Sequence, residues 1–389
     1  MKKFSIIFVV LIFLSTGGNA RAGGMIVSTG DAVAELEIQL QALAQQNRNQ
    51  AGTAAGNNKI GGDDTEFYLK TARAVITGQV TPLAKFALRF SADDMGKNYN
   101  SPTTSSGSTV KALDAYVQFN LGSAFKLVGG IFPVQFSRTG LTDPVRLVTL
   151  GAPFVDSFAL DSTGLAERRD RGAMVWGNID LFQYRLAVGN GSQLPQKNAG
   201  DQTLRYNGRV QFSTGAPEKD LLYKETYLGQ QNVFTIGYGF DKQDKVSSDI
   251  YGLMAPYSAW TADVLLESKS ENGGLGLEYS YYSYNYNNST RMDTLGNYVQ
   301  GEGWQGLFTW TLVQSGGGIQ PYCRYTLWNP NNPSPGSAQR NLAAGLNLLL
   351  RGDNLKWGLE YENVSFTTQG TTYDRQNYEK YGVELQVIF

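Results

Sequence analysis

Tyr378-Glu-Lys-Tyr-Gly-Val-Glu-Leu-Gln-Val-Ile-Phe389 is the stretch on which the fold turns. Tyr381, Val383, Leu385, Val387 and Phe389 share one parity, while Lys380, Gly382, Glu384 and Gln386 share the other, with Ile388 as the exception. Successive side chains of a strand point to opposite faces, so this is a period-two element with one apolar and one polar side.

A soluble sheet produces the same alternation, so the rest of the chain must discriminate. The ending on Phe389 resembles the C-terminal strand of bacterial outer-membrane barrels, in which Tyr381 and Phe389 would be read by the barrel-assembly machinery. The other end agrees. Met1-Lys-Lys, an apolar run from Phe4 to Leu14 and Ala20-Arg-Ala22 form the three regions of a signal peptide cleaved after residue 22, leaving 23–389 as one barrel domain. No later run approaches the roughly 20 consecutive apolar residues of a spanning helix. A membrane protein of this composition must therefore cross with strands closed into a barrel, which satisfies every backbone group internally.

The 389 residues include 45 Gly, 22 Tyr and 19 Phe, one Cys and no His. The leader takes three of the 33 basic residues and none of the 34 acidic ones, so the remainder carries 30 against 34. That mild acidity gives no footing for nucleic acid. Without His there is no Ser-His-Asp triad, no imidazole base and no histidine metal ligand, so an enzyme is not expected. Cys323 alone makes neither a disulfide nor a thiolate cluster nor a haem attachment motif, and neither metal nor cofactor is expected. Asp63-Asp64 and Asp93-Asp94 lack the spacing of a calcium cage and read as solvated loop.

Segments of about ten residues with alternating apolar positions recur throughout. Phe86, Leu88 and Phe90 oppose Lys85 and Arg89. Leu186 opposes Gln183 and Arg185; Val210 opposes Arg205 and Arg209; Val264 and Leu266 oppose Asp263 and Glu267. Fifteen such strands are legible, and single-chain bacterial barrels have even numbers. Counting back from an inward-running last strand leaves an outward strand missing before Phe67. Ala32 to Ala44 supplies it, with Ala34, Leu36, Ile38, Leu40 and Ala42 alternating against Glu35, Glu37, Gln39 and Gln41. Its rival is a helix, since Ala, Glu, Gln and Leu are strong helix formers and Val33, Leu36, Leu40 and Leu43 would form a seam. Parity selects the strand and predicts a sixteen-stranded all-β transmembrane barrel.

Short turns then alternate with long loops, with 215–231 the one over-long member on the short side. The longest loop is the third, about 133–170. Its apolar Leu141, Leu147, Val148, Leu150, Phe154 and Phe158 predict that it folds into the lumen and faces the wall carrying Arg185, Arg205 and Arg209. Its charged candidates for a constriction are Arg138, Asp143, Arg146, Asp156, Asp161, Arg168, Arg169 and Arg171. Inward basic candidates on the wall are Lys85, Arg89, Lys126, Arg185, Arg205, Arg209 and Arg324. Asp114, Asp263, Glu267, Glu278, Glu360 and Glu384 share that wall and offset them. The aromatics Tyr281, Tyr282, Tyr284, Trp304 and Trp328 read as an interfacial girdle.

Three passages resemble the phosphate-selective porin O and P family: Phe67 to Asp94, Val128-Gly-Gly-Ile-Phe-Pro-Val-Gln-Phe136, and Glu167-Arg-Arg-Asp-Arg-Gly-Ala-Met-Val-Trp-Gly177. Asp114-Ala-Tyr-Val-Gln118 fits between them, and the resemblance is strongest in the N-terminal half. It implies a trimeric outer-membrane porin passing small hydrophilic solutes, with a weak preference for phosphate-like anions. The wall charges leave a nearly non-selective or a cation-preferring pore open. A second reading is a barrel sheath around multihaem cytochromes, which a barrel this wide permits.

Overall fold

The alternation read from the last strand continues as antiparallel strands from end to end. The computed structural model describes residues 25–50, 62–97, 109–162, 165, 167–192, 203–215, 218–248, 254–287, 299–314, 317–331, 338–367 and 377–389. The signal peptide lies outside them. The strands are β1 (Met25–Thr29), β2 (Ala32–Gln50), β3 (Gly62–Thr81), β4 (Ala84–Ser91), β5 (Lys111–Asn120) and β6 (Lys126–Pro133). They continue with β7 (Arg169–Ile179), β8 (Phe182–Gly189), β9 (Arg205–Gly215), β10 (Val233–Ser248), β11 (Met254–Ser270) and β12 (Gly273–Asn285). The last are β13 (Gly301–Gln314), β14 (Gly317–Pro330), β15 (Gln339–Leu349), β16 (Leu355–Phe366) and β17 (Tyr378–Ile388).

From β2 to β17 each strand pairs antiparallel with the next, and β17 pairs with β2 through Leu385↔Ala42 and its neighbours, closing a barrel of sixteen strands. The segment from Ala32 is strand, as parity requires. Its helical propensity is overridden because Gln39 and Gln41 gain buried partners on the polar face while both edges find a neighbour. The short β1 was not legible in the sequence. It pairs Met25–Thr29 with Leu36–Ala32, taking up β2's edge just past Phe389, whose N–H and carbonyl exchange bonds of 3.1 and 2.7 Å with Ile38.

Register settles the faces. Leu186, Val210 and Leu266 are exposed, whereas Arg185, Arg209 and Glu267 beside them are buried. Phe86, Leu88, Val264, Leu346, Leu359 and Leu385 also take the outer parity. The expected girdle divides. Tyr281 and Trp304 stand outside, the first 5.1 Å from Trp260 and the second 5.2 Å from Tyr325, centroid to centroid. Tyr282, Tyr284 and Trp328 are instead fully buried with Val155 and Phe158 of the third loop. Their parity is inward, so they anchor a loop and do not meet lipid.

The third loop spans 134–168, so Arg169 and Arg171, expected within it, belong to β7, with Arg171 exposed on that strand. On the opposite rim the connections 82–83, 180–181, 271–272 and 315–316 are two residues long, and 121–125 and 350–354 are five. The connection 216–232 is the exception on that rim at seventeen.

Candidate channel constriction

Bonds from 134–168 reach inward side chains around much of the barrel. The Leu147 carbonyl accepts from Lys356 Nζ at 2.7 Å, that of Val148 from Asn347 at 2.9 Å, and that of Val145 from Gln386 at 3.0 Å. Arg324 Nη1 donates to Thr149 Oγ1 at 2.6 Å, and the Leu150 N–H donates to Glu360 at 3.0 Å. Asp143 pairs with Arg89 on β4 at 2.9 Å. Leu150 rests in a slot made by two glycines. A Cβ on Gly382 would stand 2.5 Å from its Cδ1, and one on Gly358 2.8 Å from its Cδ2. The apolar run of the loop thus buries against the barrel's own residues, as a segment of that hydrophobicity must.

The wall arginines expected to face open water do not. Arg205 is bonded to Asp241, with Nε–Oδ1 at 2.8 Å, and to Ser162 at 3.3 Å. Arg209 forms a fork on Asp263 at 2.6 and 2.7 Å and reaches Tyr223. Arg185 donates to the carbonyls of Leu221 at 2.6 Å and Asp220 at 2.8 Å, so it grips a backbone segment. All three are 1% exposed or less. Planar guanidinium groups suit such forks, and here the forks are occupied by the protein.

The loop's own charges are also engaged. Arg138 is fully enclosed, forked on Glu218 and 3.2 Å from Glu278. Burial works to raise the Glu218 carboxyl, but Arg138 outweighs it and holds the pKa below the usual range. Burial opposes the Asp143 carboxylate likewise, and Arg89 followed by Arg73 keeps its pKa low. Asp156 meets Ser137 and Arg168, and Arg146 lies 3.6 Å from Asp353. Arg169 bonds Asp114 at 3.0 Å, and Asp161 is exposed.

Three cavities border β2 and β3. A cavity of about 850 Å³ is lined by Lys85, Lys126, Lys219, Glu35, Asp220 and Thr77 among others. A second of about 460 Å³ shares Glu35 and Thr77 and adds Glu37, Gln39, Asp143 and Arg146. A third of about 250 Å³ is lined by Lys70, Lys97, Lys380, Asp94, Glu360 and Glu362. Between them stand Lys70 with Glu384 at 2.7 Å and Gln41, which donates to Gln386 at 2.7 Å and to Glu384 at 3.2 Å. Beside this layer Arg73 pairs with Asp93 and Glu167. The Nη1 atoms of Arg73 and Arg89 are buried with no hydrogen-bond partner among the described residues.

Arg73 escaped the sequence reading for a local reason. A bulge between Thr71 and Leu69 shifts the parity of β3, so period two carried down from Phe67 misplaces everything after it. Of the seven expected wall cations, Lys85 and Lys126 alone line the cavity of about 850 Å³. Among the described residues neither has an ion pair, although Lys126 sits 3.7 Å over the Trp176 ring. Tyr381 and Phe389 lie on the last strand's outer face, Tyr381 under the Arg48 guanidinium at 4.8 Å. No group of His, Cys, Asp or Glu among the described residues is arranged to hold a metal ion.

A closed sixteen-stranded barrel with an apolar outside, a polar inside and cavities along one wall is the architecture of a porin. The chain belongs to the phosphate-selective porin O and P family, whose model matches residues 42–389. Solved structures agree on the fold. OmpT of Vibrio cholerae with loop L8 deleted is 12% identical with a TM-score of 0.56, covering 92% of this chain and 100% of its own. OmpF of Salmonella typhi, in complex with daunomycin, is 10% identical at 0.56, covering 94% and 100%. The outer-membrane channel DcaP of Acinetobacter baumannii is 14% identical at 0.53, covering 94% and 100%. No curated protein matches the chain.

Proposed function

We propose that the protein is an outer-membrane porin for passive diffusion of small hydrophilic solutes, with a weak preference for anions, through a passage running along β2 and β3. The third loop, folded inward, forms the narrow side of that passage and is tied to the wall there by Asp143 on Arg89 and Glu167 on Arg73. One observation carries the anion preference: Lys85 and Lys126, which have no ion pair among the described residues, line the cavity of about 850 Å³, while Arg205 and Arg209 are neutralised by Asp241 and Asp263. Glu35, Glu37 and Asp220 share the passage, so the preference is small. Charge on a low-dielectric wall concentrates the opposite ion.

Planar-bilayer recordings in a KCl gradient test this reading. Lys85→Glu with Lys126→Glu is expected to move the reversal potential toward cations, while Arg205→Lys leaves it in place. An unchanged potential in the double variant would dismiss these lysines as the source. The phosphate preference in the family's name is tested in the same bilayers, by whether millimolar phosphate reduces the chloride current. We further propose that the signal peptide is cleaved, that the last strand is recognised during barrel assembly and that the protein is a homotrimer, as its family suggests. The cytochrome-sheath reading is not favoured, because the β8–β14 side of the interior is occupied by the protein's own residues.

A further inference from the structure

The connection 216–232 joins neighbouring antiparallel strands, a task that two residues perform at 82–83, 180–181 and 271–272. Part of its surplus length is buried. Glu218, Tyr223, Glu225 and Thr226 are enclosed. The wall braces the segment from below: Arg185 holds the Asp220 and Leu221 carbonyls, and Gln183 and Gln211 donate to that of Glu218. Glu267 on β11 accepts the N–H groups of Tyr227 at 2.8 Å and Gly229 at 2.6 Å. Thus anchored, the segment runs beside the third loop. The Tyr223 N–H donates to the Leu141 carbonyl at 2.9 Å, and that of Glu225 to the Arg146 carbonyl at 3.3 Å. Tyr223 and Thr142 form a parallel bridge.

We propose that 218–232 is a strut that positions the third loop from the opposite mouth, with Glu218 and Glu225 as its positioning residues. The inference rests on the reading that the third loop narrows the passage. Glu218 forks onto Arg138 at the start of the loop, and Tyr227 donates to Glu218 at 2.8 Å. Glu225 accepts the Val148 N–H where the flanking carbonyls of Leu147 and Val148 are already held by Lys356 and Asn347. The loop is therefore bonded on both sides, to the wall through its carbonyls and to the strut through its amide. Without the strut one side is released, and a buried N–H with no acceptor drives the segment to find another position.

The test uses the full chain refolded into vesicles and planar bilayers, with heat-modifiable gel mobility reporting the folded barrel. Glu225→Leu removes the acceptor, and Glu225→Gln keeps it through its amide oxygen. A pore widened at its narrowest point conducts more, and a rise of about two-fold, with more current noise, is expected for Glu225→Leu. Glu225→Gln should record as the unaltered chain, which a purely destabilising change at a buried charge would not predict. Trypsin should cut after Arg146 in the folded Leu variant and spare the Gln variant. If Glu225→Leu does not refold, Glu218→Leu, which leaves Glu278 as the one carboxylate on Arg138, is expected to raise noise and cleavage in the same way. A folded Glu225→Leu or Glu218→Leu channel with unaltered conductance and no cleavage overturns the strut. Deleting 140–158 separates the two claims. If that deletion leaves conductance unchanged, the constriction reading fails, and cleavage after Arg146 alone then decides whether the strut holds the loop.

Discussion

Replacing Arg209 with methionine is expected to cost the barrel about 3–5 kcal/mol, because it strands a buried carboxylate. Asp263 lies across the wall on β11 with both oxygens on that guanidinium and is 2% exposed. The midpoint of urea-driven unfolding in vesicles should fall accordingly. The double variant Arg209→Met, Asp263→Leu removes both charges and should recover most of the loss, since an apolar pair can replace a buried ion pair at little cost. If the two single losses simply add, the pair is not coupled. This reverses what the sequence implied. Arginines on a wet wall would be dispensable for folding, whereas truncating Arg185, Arg205 and Arg209 together should prevent it.

Arginine at position 186 is expected to destabilise the barrel by about 2–4 kcal/mol, the cost of a cation at mid-bilayer on the lipid face. Leu186 is 48% exposed at the centre of β8. The matched control is Thr77→Arg on β3, where Thr77 lines the cavity of about 850 Å³. That variant should refold in full yield and shift ion preference alone. Equal loss of folded band in both would show that β8 does not cross the bilayer in this register.

Strands, faces and parity were legible because period two is a local signal written into each ten-residue window. Even the helix-prone segment from Ala32 yielded to the count. The pairing of charges was not legible, because Arg209 and Asp263 sit two strands apart across a connection of seventeen residues. Register cannot be carried across a turn that long, whereas a two-residue turn fixes it. The same gap hid the strut, which appeared in the sequence only as an over-long turn. Tyr282, Tyr284 and Trp328 were misread because an aromatic on a barrel strand serves a lipid interface or a folded-in loop equally well, and only parity set by a known register separates the two. At Arg73 the failure came from a single bulge.

The seat of Leu150 has a consequence for the order of assembly. Gly358 and Gly382 lie on the last two strands, more than two hundred residues along the chain from the side chain they admit. The amide bonded to Glu360 spans 210 positions, and the carbonyl bonded to Gln386 spans 241. Contacts so distant in sequence form late, after the intervening chain has found its place. Leu150 therefore has no seat until β16 and β17 have joined the sheet. That part of the loop takes its final place only as the seam between β17 and β2 closes.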